Sequence, residues 1–78
     1  MKPVYFRKHV GSETIYGKVT KDYILTLMSK EVQNGIYWTL FVNYNAYLPD
    51  YFDFFNYDVD EETFNTAFAK YQTFVSSL

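Results

Sequence analysis

The side chains able to do chemistry are few. A single histidine, His9, lies in a stretch of alternating residues that reads as a strand, and the chain has no cysteine nucleophile and no serine set between glycines in an elbow. A general base needs a group that orients it; a lone strand histidine is ordinarily a solvent-facing or hydrogen-bonded side chain. The three glycines, Gly11, Gly17 and Gly35, are isolated, so no glycine-rich backbone loop is available to cradle a phosphate. Asp58, Asp60, Glu61 and Glu62 are dense enough to suggest a cation, but the stretch lacks the central glycine and alternating ligands of a calcium loop. Helix capping accounts for Asp60, Glu61 and Glu62 without an ion. No catalytic residue, metal ligand or cofactor is expected, and the chain reads as a non-enzyme.

Recognition chemistry is better supplied. Tyr5, Arg7, His9, Tyr16 and Lys18 fall on one side of an expected hairpin, where rings can stack on bases and cations can meet phosphates. Against nucleic-acid binding stands a net charge of −2, where such domains usually carry a basic surplus. The Arg7/Tyr16 and Tyr5/Lys18 pairs also stabilise an ordinary solvent-facing sheet. Charge is uneven along the chain: residues 1–30 hold six basic and two acidic groups, residues 31–78 one basic and seven acidic. Such asymmetry bears on steering and partner choice. Nucleic acid is the alternative partner, and protein contact is the favoured reading.

These side chains have to be positioned by a small frame. Seventy-eight residues make one expected domain, 1–78, and a chain near this size buries only about 60% of its unfolded surface. Nine Tyr, eight Phe and one Trp compensate, since each ring buries about 150–250 Å². The absence of cysteine excludes disulfides and thiolate metal sites. Arg7 and Lys8 interrupt any signal-peptide core, and no apolar run approaches a membrane span, so a soluble cytoplasmic protein is expected.

The organising stretch is 23–44, two runs of aliphatic, aromatic and β-branched residues flanking Asn34-Gly35. That dipeptide predicts a type I′ hairpin turn, with Gln33 opposite Ile36, Glu31 opposite Trp38 and Leu27 opposite Val42. A second hairpin joins 4–10 to 13–19 through a II′ turn at Gly11-Ser12, pairing Val4/Val19, Phe6/Gly17 and Lys8/Ile15. Phe6 then covers the weak point left by a strand glycine. Lys21-Asp22 returns the chain from the first hairpin into the second, which makes a four-stranded meander. Residues 51–57 are open between a fifth, edge strand and an irregular segment. Residues 60–77 read as a helix with Asp60 as N-cap, a Val59/Phe64 staple, and an apolar stripe through Phe64, Ala67, Phe68, Tyr71, Phe74, Val75 and Leu78. The segment 36–44 has few charges and no proline, so it is expected to be an inner strand or else an aggregation site. The fold class is α+β: a four- or five-stranded antiparallel meander sheet with one C-terminal helix packed on one face.

Both sheet faces carry apolar groups, and one helix covers one face. Tyr16, Leu25, Leu27, Trp38, Leu40, Val42 and Tyr44 lie on one side; Val4, Phe6, Ile15, Ile24, Met28 and Phe41 lie on the other. The first set is expected to bind a protein partner, a second copy included, with Asp50 and Asp53 of the acidic half contributing. The competing outcome is that 45–57 closes the surplus face within the monomer. Short, cysteine-free, aromatic-rich, acidic α+β chains of this kind resemble the small host-directed inhibitors that bacteriophages and mobile elements encode, inhibitors of restriction or CRISPR nucleases among them. The resemblance is one of type, and it implies docking on a host protein in the host cytoplasm without assigning any residue a role.

Overall fold

The computed structural model describes residues 2–44 and 59–78. They form β1 (Val4–Val10), β2 (Glu13–Val19), β3 (Ile24–Val32), β4 (Gly35–Asn43) and one helix, α1 (Glu61–Ser76). The strands pair in chain order as a four-stranded antiparallel meander, so the fold is α+β with a C-terminal helix, as the alternation and the helical stripe require. The choice between a fifth strand and an irregular segment at 51–57 lies outside the described residues.

The first hairpin has the expected register: Val4 faces Val19, Phe6 faces Gly17 and Lys8 faces Ile15. Gly11 has φ +59°, and among the described residues only glycines have positive φ, so Ser12 completes the II′ pattern of a positive first and negative second central residue. The return from β2 to β3 is closed by Thr20. Its amide donates to the Tyr23 carbonyl at 2.9 Å, and its hydroxyl accepts from the Tyr23 amide at 3.1 Å.

The second hairpin turns two residues away from the expected pairing. Val32 faces Gly35, Leu27 faces Leu40 and Leu25 faces Val42, so Gln33-Asn34 make the turn and Asn34-Gly35 do not. Asn34 keeps negative φ, and Gly35 alone takes φ +143°. Only the residue without a Cβ adopts the unusual backbone. A slip of two residues preserves the alternation, so every side chain stays on its expected face.

Each face has its own core. On one, Tyr5, Leu27 and Trp38 bury against Phe64 and Ala67 of α1, with Tyr16, Leu25, Leu40, Phe68, Tyr71 and Phe74 packed around them. On the other, Phe6, Val19 and Ile24 are buried, with Val4 and Ile15 packed against them. Asp60 caps α1: its Oδ1 accepts from the Thr63 amide at 2.9 Å and from the Thr63 hydroxyl at 2.7 Å. Val59 packs against the core cluster that contains Phe64, as a staple residue should. The stripe is shorter than its spacing suggests, because Val75, in the last turn of the helix, and Leu78, beyond it, are exposed.

Candidate protein-interaction surface

The helix settles which of the two apolar faces it covers. Leu27 is fully buried, Trp38 is buried, and the Tyr16 ring stacks on Trp38 with centroids 6.3 Å apart. Leu25 and Leu40 pack against the same cluster. Five of the seven side chains expected to meet a partner, Tyr16, Leu25, Leu27, Trp38 and Leu40, therefore form the internal seam between sheet and helix. Alternation had sorted residues into two faces but carried no information on which face α1 takes. Of that set, Val42 and Tyr44 remain exposed. Asp50 and Asp53 lie outside the described residues.

The same packing removes the rings from the nucleic-acid surface. Tyr5 lies against Phe64 with centroids 5.7 Å apart, and Tyr16 is held under α1 by Trp38, so neither presents a free face to a base. Arg7 and His9 are exposed, and Lys18 is half-buried. His9 Nδ1 lies 3.0 Å from the Thr14 hydroxyl, its cross-strand partner, which is the hydrogen-bonded strand histidine that its isolation suggested. Among the described residues no group of three or more His, Cys, Asp or Glu is placed to hold a metal ion. Asp60 is committed to its cap, and the hydrogen bonds from the Thr63 hydroxyl and amide hold its carboxyl below the ordinary value.

The apolar surface left outside is concentrated on β4. Ile36, Tyr37, Phe41, Val42 and Tyr44 are each between 44% and 72% exposed, and they come from both faces of the sheet. Among the described strands β4 stands at an edge of the sheet, not between two neighbours as its composition suggested. Lack of charge and proline was a true signal of an unprotected strand, but it could not say which neighbour the strand would have. Tyr37 is partly braced, since its ring meets Phe74 edge-on at 5.4 Å, and Tyr44 meets Tyr23 at 6.4 Å.

The direction of the backbone groups follows from one hydrogen bond. The Glu31 amide donates to the Ser12 carbonyl at 3.1 Å, so Glu31 spends its backbone on the β2 side of β3. Alternation along β3 then turns Lys30, Met28, Thr26 and Ile24 toward β4, where they meet Tyr37, Thr39, Phe41 and Asn43. The N–H and C=O groups of Ile36, Trp38, Leu40 and Val42 consequently point off the sheet, and no described strand pairs with them. The opposite edge differs in kind: β1 carries Arg7 and Lys8, charged side chains of the sort that ordinarily discourage edge pairing.

Among the described residues no helix is long and apolar enough to cross a membrane. No protein-family model, curated protein or solved structure matches the chain.

Proposed function

We propose that this chain is a non-enzymatic protein-interaction domain that acts in the cytoplasm and docks through the outer edge of β4. The observation that carries the reading is the edge itself: nine residues without a charge, four of them with outward backbone groups, flanked on both faces by exposed apolar side chains. A strand added there gains main-chain hydrogen bonds along its length and apolar contacts on both faces. The narrower reading, a phage- or mobile-element-type inhibitor of a host protein or nuclease, rests on the resemblance of type and on the acidic second half of the chain. It uses the same edge.

The test is an edge substitution that leaves the fold alone. Val42→Lys places a charge on an exposed side chain, and it should abolish capture of partners from a host extract while Trp38 fluorescence stays native. Equal capture by the substituted and unsubstituted proteins would remove β4 as the docking surface.

A further inference from the structure

We propose that the occupant of the β4 edge is a second copy of this chain, paired β4 to β4 in an antiparallel register whose twofold axis passes through Thr39. The inference rests on the protein-interaction reading and narrows it to one partner. An isologous contact requires a surface complementary to itself. With the axis at Thr39, Ile36 of one copy faces Val42 of the other, and Trp38 faces Leu40. These are the four residues whose backbone groups point off the sheet, so each meets another of the set and exchanges N–H and C=O with it. Moving the axis to Trp38 or to Leu40 leaves Val42 or Ile36 opposite a residue outside β4.

The side chains fit the same axis. By register Tyr37 of one copy falls opposite Phe41 of the other, the Tyr37 ring reaching α1 at Phe74, and Ile36 falls opposite Val42. The four exposed apolar side chains of the strand thus cover one another in pairs, aromatic with aromatic and aliphatic with aliphatic. Because β4 contains no charged residue, self-pairing brings no like charges together. Self-pairing of β1 would bring its own Arg7 and Lys8 together, so the two edges of the sheet differ in their capacity for this contact. Among the described residues the product is a continuous eight-stranded sheet with α1 of each copy on the same face.

The absence of cysteine makes the register directly testable. Thr39 lies on the axis in a non-hydrogen-bonded pair, where Cα atoms sit about 4.5 Å apart, within disulfide reach. Thr39→Cys should therefore give a covalent dimer under mild oxidation. Phe41→Cys alone should not, while a mixture of Phe41→Cys and Tyr37→Cys chains should give the mixed dimer. In sedimentation across a dilution series, Val42→Pro removes an outward N–H from each copy and should weaken self-association about tenfold or more, with the monomer still folded. A chain that sediments as a monomer throughout overturns the second copy. Phe41→Cys cross-linking to itself as readily as Thr39→Cys overturns the register. If that monomer still loses partner capture on Val42→Pro, the interaction reading survives without the dimer; if capture is unchanged, both fall.

Discussion

Gly17→Ala sets two local rules against each other. Its φ lies outside the positive region, so the backbone accepts alanine, and strand conformational entropy alone favours the change by about 0.5–1 kcal/mol. The Phe6 ring opposes it. A Cβ built on Gly17 falls inside contact distance of Phe6 Cζ and Cε1 and reaches Cε2 at 2.6 Å. Phe6 is only 1% exposed and is packed in the cluster with Val19 and Ile24, so its ring has little room to swing aside. Overpacking of this kind costs about 1–3 kcal/mol, and so close an approach belongs at the upper end, about 3, which leaves a net loss of about 2 kcal/mol. In a domain of this size each kcal/mol moves Tm by about 4–8 °C. Urea unfolding followed by the fluorescence of Trp38, the lone tryptophan and part of the other core, reports the global transition. In a Phe6→Leu background the smaller side chain should relieve the contact, and the cost of Gly17→Ala should shrink or reverse. The account of this site fails if Gly17→Ala is neutral or stabilising with Phe6 present, or if it costs the same in both backgrounds.

Trp38→Ala and Leu27→Ala should each cost about 2–5 kcal/mol, a large part of the stability of a domain this small, and denaturant midpoints should show folding failing before any change in association is seen. At the second turn, Gly35→Ala should destabilise by about 1–3 kcal/mol because of its φ, whereas Asn34→Ala should stay within about 0.5 kcal/mol; the reverse order in thermal melts would restore the Asn34-Gly35 turn. Asp60 has a folded pKa held below its unfolded value, so the stability it contributes is present above the unfolded pKa and is lost as pH falls through the folded one. Circular dichroism should show α1 weakening over that acidic window, and Asp60→Asn, which keeps a capping oxygen but cannot titrate, should flatten that part of the pH profile.

Much of the frame was legible in the chain because its signals are local. Alternation marked β1 to β4, Gly11 marked the first turn through its positive φ, and Asp60, Val59 and Phe64 marked the start of the helix through capping and a staple. Even the misplaced second turn did no harm to the sorting of faces, since a shift by two leaves alternation intact. What only the assembled structure decided was which face α1 takes and where β4 ends up. Both are matters of packing between distant segments: the helix chose the side bearing Tyr16, Leu27 and Trp38, and those side chains became core where sequence had offered them to a partner. The strand with no charge to protect it came to rest at an edge, because strand order follows from which neighbours pair and not from what any one strand contains.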